Sequence, residues 1–401
     1  MTTPAAHPRP LAPPARRLLG PGPSPVDPRV TAALSLPLLG HLDPCFLEIM
    51  DATQAMLRRV LLTENRLTVP ISGTGSAGME AALCNLVEPG DEVLVCVNGV
   101  FGGRMCDIVE RCGGTLRRID RPWGEVFDSE EVETALARWP GVGLVALVHA
   151  ETSTGAWQPL PEIGRLCRGQ DRLFLVDAVT SLGGAELRLD EWAIDACYSG
   201  TQKCLSCPPG LAPLSFGPRA VARLERRRRK VVSWYFDLTM LQSYWSQGAT
   251  KRAYHHTAPI AMNYALHAAL ALVLEEGLEA RWRRHALHSR ALMAGLETLG
   301  FAAFAQAGHR LPMLNAVRLP PGLDEAAARG ALLERYGIEI GGGLGDLAGK
   351  VWRIGLMGHG SSRENVVLLL AALEEILSTS GSGARVGAGL EAAARAYAAE
   401  S

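Results

Sequence analysis

The sequence predicts an α/β fold, a mainly parallel sheet wound by helices, followed by a smaller C-terminal α+β unit. Three observations carry this. Short, nearly continuous apolar runs alternate with helical patterns over some 200 residues, as expected of parallel strands buried on both faces (about one domain length or slightly more). A Gly-x-Gly-x-x-Gly loop, Gly73 to Gly78, sits between such a run and a helix. Finally, 48% of the 401 residues are hydrophobic, enough for a large core, and there are 43 glycines without any collagen-like period. That count exceeds an average usage near ~7%, so turns or close backbone approach to a ligand must account for it.

The elements follow in order. Arg66 to Ile71 reads as a strand, and Ser72 to Gly78 then turns into a helix over Met79 to Leu86. Glu92 to Val97 is a strand ended by Asn98-Gly99. Gly143 to His149 and Arg172 to Val176 are further buried strands, with helices at Ser129 to Arg138 and Leu160 to Cys167. Ile260 to Leu299 is mostly helical. The smaller unit combines Leu314 to Leu319, helix Glu325 to Tyr336, strand Val351 to Leu356 and helix Arg363 to Leu377. The expected division is a flexible arm over 1–17, a large domain over 18–275, a small domain over 276–379, and a Gly/Ser/Ala-rich tail over 380–401 with a short helix at Leu390 to Ala399.

Charge and cysteine content narrow the class. Lys+Arg 40 against Asp+Glu 41 leaves a net charge of −1, unlike the basic excess of a nucleic-acid binder. No apolar stretch approaches the ~20 residues of a membrane-spanning helix. The basic run Arg226 to Lys230 reads as a solvated helix end beside Glu225. The first seventeen residues lack the apolar core of a secretory signal. With an odd count of nine cysteines, reduced thiols and a cytoplasmic location are expected. Cys204 and Cys207 have the C-x-x-C spacing of a redox-active pair or half a zinc site, but no second close pair of Cys or His completes four ligands, so structural thiols and no metal are expected.

The glycine loop lets the backbone approach an anion at a helix N-terminus, and Thr74 and Ser76 add hydroxyls. A nicotinamide site would also need an acid after the next strand. That strand ends in Asn98-Gly99 instead, so a single-phosphate cradle is the better reading. Asp177 ends an apolar strand, where open sheets meet their ligands, and Lys203 follows in a loop of small polar residues. Phosphate cradle, strand-end carboxylate and lysine match the three demands of pyridoxal phosphate: an anchor, a partner for the pyridinium N–H and an amine to form a Schiff base. Phe101 is a candidate stacking face for the ring, with ordinary core as its alternative.

The segments Leu18-Leu-Gly-Pro-Gly-Pro-Ser24, Ser72-Gly-Thr-Gly-Ser76, His149-Ala-Glu-Thr-Ser-Thr-Gly155, Val176-Asp-Ala-Val-Thr-Ser-Leu-Gly-Gly184 and Ser199-Gly-Thr-Gln-Lys203 resemble class V aminotransferases. Tyr254-His-His-Thr-Ala-Pro259 and Lys350-Val-Trp-Arg-Ile-Gly-Leu-Met-Gly358 extend the match. Within the class the resemblance is greatest to alanine–glyoxylate and serine–pyruvate aminotransferases. It implies a fold-type I transferase, with Lys203 as the Schiff-base lysine, Asp177 at the ring nitrogen and Phe101 on the ring. It implies Thr74, Gly75, Ser76 and Gln202 at the phosphate and Thr152 near the ring oxygen. Arg353 would clamp the substrate carboxylate, with Gly22 also at the substrate. Tyr254 and Thr257 would reach the neighbouring subunit's phosphate, hence a homodimer. His255 and His256 match the motif without an assigned role.

The activity so implied moves the amino group of alanine or serine to glyoxylate or pyruvate. Pyridoxamine–pyruvate and 2-aminoethylphosphonate aminotransferases are alternatives. The intact cradle disfavours the first, and the second lacks a further basic group near Arg353. A nicotinamide oxidoreductase lacks its acid, and an inactive binding module does not explain Lys203, Asp177 and Arg353 together. A desulfurase would need a cysteine on a mobile loop near the site, which Cys204 and Cys207, so close to Lys203 in sequence, fit poorly.

Overall fold

Alternate residues of the strand Glu92–Val97 belong to two different cores. Val93, Val95 and Val97 pack in one with Met79 and Leu83, while Leu94 and Cys96 pack in the other with Phe174 and Ile163. The two-residue period of a strand thus places helices on both sides of the sheet, which is why its sequence is apolar throughout. The computed structural model describes residues 11–246, 252–379 and 385–399. Seven strands form the main sheet: β1 (Leu67–Ser72), β2 (Glu92–Val97), β3 (Thr115–Asp120), β4 (Val142–Val148), β5 (Leu173–Asp177), β6 (Ala196–Tyr198) and β7 (Leu211–Phe216). Their order is β1-β7-β6-β5-β4-β2-β3.

All neighbours are parallel except β7, which is antiparallel to both β1 and β6. Two reversals cancel, so β1 points the same way as β6, and β1, β2, β4, β5 and β6 all end on one edge. That edge receives the glycine loop, Asn98-Gly99, the His149–Gly155 loop, Asp177 and the Ser199–Lys203 loop. The sequence reading did not anticipate β7. Pro213 lies at its centre, directly opposite Pro70, and a proline argues against a strand unless its missing N–H costs no ladder bond.

A second sheet combines β8 (Ala302–Ala303), β9 (Leu314–Arg318), β10 (Gly341–Gly342) and β11 (Val351–Gly355) in the order β8-β9-β11-β10. Helices Leu278–Thr298 and Arg363–Thr379 cover it, burying Leu292, Leu296, Leu369 and Leu373 around Trp352. The mostly helical stretch Ile260 to Leu299 consists of two helices, Ile260–Glu276 and Leu278–Thr298, separated at Gly277, whose φ of 83° lies outside helical space. The glycine-loop helix starts at Gly75, four residues before its expected start. Helix Pro218–Glu225 ends just before the basic run, whose Arg226, Arg228, Arg229 and Lys230 are exposed.

The chain enters through the second layer. Arg17–Leu18 pairs in parallel with Ile338–Glu339, and Leu19 is buried in the Trp352 core. From there Gly20 to Ser24 crosses to the edge of the main sheet. A helix spans Ala388–Ala398 and buries Tyr397, whose hydroxyl meets His288 Nδ1 at 2.9 Å. The tail positions 380–384 and 400–401 lie outside the described residues, as do positions 1–10 of the expected arm.

Candidate active site

Asp177 closes β5 with its carboxylate 3% exposed. One oxygen accepts the Val179 N–H at 2.8 Å and the other the Tyr198 hydroxyl at 2.7 Å. Strand register explains the second bond, because Asp177 and Tyr198 are direct partners at the ends of β5 and β6. Burial pushes the carboxyl up to about 6, against the pull of those two donors; the nearby Glu151 raises it and Lys203 lowers it.

Lys203 lies in the loop after β6, on the same edge. Its ammonium donates to Pro21 O, and the Gly20–Ser24 crossing holds the loop. Ser24 N donates to Gln202 O at 2.8 Å and Ser24 Oγ to Lys203 O at 2.7 Å. Gly22 has φ 107°, and a Cβ there would lie 2.7 Å from Lys203 Nζ. No side chain fits between this strap and the lysine. Burial first, and then the positive charge of Arg353, bring the Lys203 amine down to about 8. On the other side of the loop, buried Arg281 donates to Gly183 O at 2.9 Å and Cys204 O at 2.6 Å, tying the Asp177 and Lys203 loops together. Cys204 and Cys207 are fully buried, and burial raises their thiols to about 11 and about 12, so neither is a ready nucleophile.

Arg353 is on β11 and 8% exposed. Its Nε donates to Gly342 O at 2.7 Å on the adjacent strand β10. That bond orients the guanidinium while leaving both terminal nitrogens for a carboxylate fork. Burial lowers its pKa and the Glu151 charge offsets this. Gly341, the β10 partner of Arg353, packs against Pro21, whose carbonyl accepts from Lys203, and the Arg353 charge is among the causes that lower the lysine.

The glycine loop opens helix Gly75–Leu86, with Thr74 as N-cap and no side-chain cap bond. Thr74 and Ser76 are exposed and Gly75 is buried against Val179. Ser76 Oγ accepts from Arg104 at 2.9 Å, and the same guanidinium lies 5.0 Å from the Phe101 ring centroid. Phe101 is half-buried on helix Val100–Arg111. Gln202 keeps a buried Oε1 with no protein partner. Thr152 is buried in the loop after β4. In that loop His149 Nε2 accepts from Trp157 Nε1 at 2.9 Å, so its Nδ1 carries the proton and donates to Ser181. Burial holds this histidine neutral, at about 3.

Tyr254 is 59% exposed and Thr257 is exposed, their hydroxyls 3.4 Å apart. Between them His256 Nε2 meets Ser72 Oγ at 2.7 Å, and its Nδ1 meets His255 Nδ1 at 2.9 Å. The segment is therefore anchored beside the glycine loop while its two hydroxyls face outward. Arg104 and Glu151 were not singled out from sequence. Glu151 lies inside a segment that was, between His149 and Thr152, and burial and partners rather than spacing distinguish it; exposed Arg104 is marked only by its contacts with Ser76 and the Phe101 ring.

A family model described as Aminotransferase class-V matches residues 38–353. Alanine–glyoxylate aminotransferase of Callithrix jacchus is 44% identical, over 93% of this chain and 90% of that one. The crystal structure of alanine–glyoxylate aminotransferase from Nostoc sp. superposes with a TM-score of 0.89 at 50% identity, covering 92% of this chain and 97% of the other. That of ureidoglycine–glyoxylate aminotransferase from Bacillus subtilis gives 0.94 at 44% identity, covering 97% and 100%.

Proposed function

The chain belongs to the class V aminotransferases and is a pyridoxal-phosphate-dependent enzyme, and from that premise we propose that it moves the amino group of alanine or serine to glyoxylate or pyruvate. The observation that carries this reading is the placement of buried Asp177 and half-buried Lys203 on one edge of the main sheet, with buried Arg353 on the second sheet joined to that edge through the Gly20–Ser24 strap. Glyoxylate is the favoured acceptor, because it is named for both kinds of relative. The TM-score of 0.94 with full coverage of the ureidoglycine–glyoxylate enzyme supports ureidoglycine as a second donor reading.

The residues present fit the cofactor. Gln202 Oε1 is a buried acceptor lacking a partner, the helix behind Thr74 has no side-chain cap, and a half-buried lysine lies on the same sheet edge as a buried carboxylate. Thr74, Gly75, Ser76 and Gln202 would hold the phosphate, Phe101 the ring face and Thr152 the ring oxygen. Asp177 would keep the ring nitrogen protonated. Bound there, pyridoxal phosphate would supply an aldehyde and an electron-accepting ring.

Lys203, lowered to about 8, has a fraction of its amine neutral near neutral pH. Its neutral amine would hold the cofactor's aldehyde and would serve as the base and acid that moves a proton at the substrate Cα. Arg353 orients the substrate by its carboxylate, and Gly22 leaves the space beside the lysine open. A second copy of the chain would receive Tyr254 and Thr257 at its phosphate, forming a homodimer. A cytoplasmic location is supported by nine unpaired cysteines, eight of them buried. No helix among the described residues is long and apolar enough to cross a membrane.

A donor panel tests the reading. Protein loaded with pyridoxal phosphate is offered alanine, serine, glycine and ureidoglycine against glyoxylate and pyruvate, with product amino acids quantified. Alanine or serine with glyoxylate should give the highest kcat/KM. Turnover confined to ureidoglycine would replace the first donor reading by the second, and no transfer from any donor would reject both.

A further inference from the structure

The helix that carries Phe101 lacks a local cap. Gly99 occupies its N-cap position and offers no side chain. Elsewhere caps are sequence neighbours in the open: Asp43, Asp128 and Asp324 each accept from an amide two or three residues ahead. Here the missing acceptors come from about fifty residues away, on the loop after β4. Glu151 Oε2 accepts the Phe101 N–H at 3.1 Å, and Ser153 Oγ accepts the Val100 N–H at 3.1 Å. Burial raises the Glu151 carboxyl, and the Ser153, Phe101 and Gly102 amides oppose that rise. The two capping side chains are locked to each other, since Ser153 donates to Glu151 Oε1 from Oγ at 2.5 Å and from its own N–H at 3.0 Å.

We infer that Glu151 and Ser153 act as a paired cap that seats Phe101, fixing the first turn of helix Val100–Arg111 and with it the ring face offered to the cofactor. The inference rests on the reading of Phe101 as the stacking residue. Both side chains are wholly buried, at 0% exposure. Burying a carboxylate is costly unless its oxygens are satisfied, and the positive end of a helix is where that cost is lowest. A local Asp or Ser at position 99 would cap more cheaply, but no side chain fits there. A Cβ on Gly99 would overlap the Glu151 carboxyl and lie 2.6 Å from Ser153 Oγ. The backbone thus approaches the Glu151–Ser153 pair as closely as it can, so the first turn has one position and not a range. Glu151 also faces the site electrically, acting on Asp177 and Arg353. It is a positioning residue that reaches the ring through the Phe101 backbone.

Four variants test this: Glu151→Ala, Glu151→Gln, Ser153→Ala and Phe101→Ala. Gln158→Ala is the control, because Gln158 is equally buried on the same loop but bonds Phe127 N and O, away from the site. The first readout is hydrogen exchange of the peptide Val97–Arg104 in protein freed of cofactor. The second is the affinity for pyridoxal phosphate with the visible circular dichroism of the bound ring. Glu151→Ala should speed exchange at Val100 to Gly102 about tenfold, the effect of one lost cap. It should weaken cofactor affinity and diminish the dichroism as Phe101→Ala does. Glu151→Gln, which keeps one acceptor oxygen, should fall between, and Gln158→Ala should lower stability without changing either readout. If Glu151→Ala does not fold, Ser153→Ala carries the same comparison with a smaller effect. Unchanged exchange in both would overturn the cap. Faster exchange with unchanged affinity and dichroism would overturn the seating of the ring. Unchanged dichroism in Phe101→Ala would instead locate the failure in the stacking reading.

Discussion

Replacing Lys203 by Met in the cofactor-free protein should make it more stable at neutral pH. The amine is lowered from 10.5 to about 8, chiefly by burial and then by the Arg353 charge. At about 1.4 kcal/mol per pH unit that difference is worth about 3 kcal/mol. Below pH 8 the amine is charged in both folded and unfolded chains, and the folded chain bears the full penalty. Between 8 and 10.5 the unfolded chain holds the proton and the folded one has released it, so wild-type stability climbs with pH across that interval. Met removes the penalty but leaves Pro21 O without its donor, a loss of about 1 kcal/mol. The net gain at pH 7 is therefore about 2 kcal/mol by this arithmetic. Above pH 10.5 it should reverse into a loss of about 1 kcal/mol, once the penalty is gone and only the lost hydrogen bond remains. Urea unfolding of both cofactor-free proteins from pH 7 to 10.5 measures it. Equal stability at pH 7, or a gap that does not shrink as pH rises, would refute the claim that this lysine is electrostatically strained. The strain has a use: at pH 7.5 about a quarter of the amine is neutral, against about 0.1% for an ordinary lysine.

Three further outcomes are expected. Arg353→Lys keeps the charge and loses the fork, so KM for the oxo acid should rise about tenfold or more with kcat less affected; an unchanged KM would remove Arg353 from the substrate. Asp177→Asn should lower kcat about 10²-fold or more while leaving the fold intact, because an amide cannot hold the ring proton; activity within a factor of about three would contradict the role given to that carboxylate. Gly22→Ala places a methyl at the Lys203 ammonium with φ at 107°, so borohydride trapping of the cofactor on Lys203 should slow, and trapping at the wild-type rate would refute the steric argument.

The parallel strands were legible because burial on both faces leaves a continuous apolar run, and β2 has the limits the sequence gives it. The antiparallel β7 was not, because Pro213 reads as a strand breaker until Pro70 is seen opposite it. Asp177 and Lys203 stood out because an acid at the end of an apolar strand and a lysine among small residues are unusual in sequence. Glu151 had no such mark: its acceptors serve amides about fifty positions away, and only the fold brings them together. Likewise the Gly20–Ser24 strap joins the arm to the lysine loop over a separation no local pattern encodes. Local chemistry is readable from spacing, and long-range satisfaction of buried groups is not.

The two cations of the site show why its parts must come from different layers. Lys203 has to lose its charge to react, and Arg353 has to keep its charge to bind a carboxylate. Burial lowers both, but from starting values two units apart, and guanidinium remains protonated wherever a protein puts it. Each cation then moves the equilibrium in the useful direction. Arg353 pushes Lys203 further toward neutrality, and the Glu151 charge helps that guanidinium stay charged. Had the arginine stood on the lysine's own loop, one backbone would have had to set both positions. Placing it on β11, with Gly342 O aiming the side chain, lets the second sheet set the distance between the charges independently of the loop that holds the nucleophile. A shift of the second layer would then alter carboxylate binding and lysine pKa together, so variants that loosen the Gly20–Ser24 strap should change both in one titration.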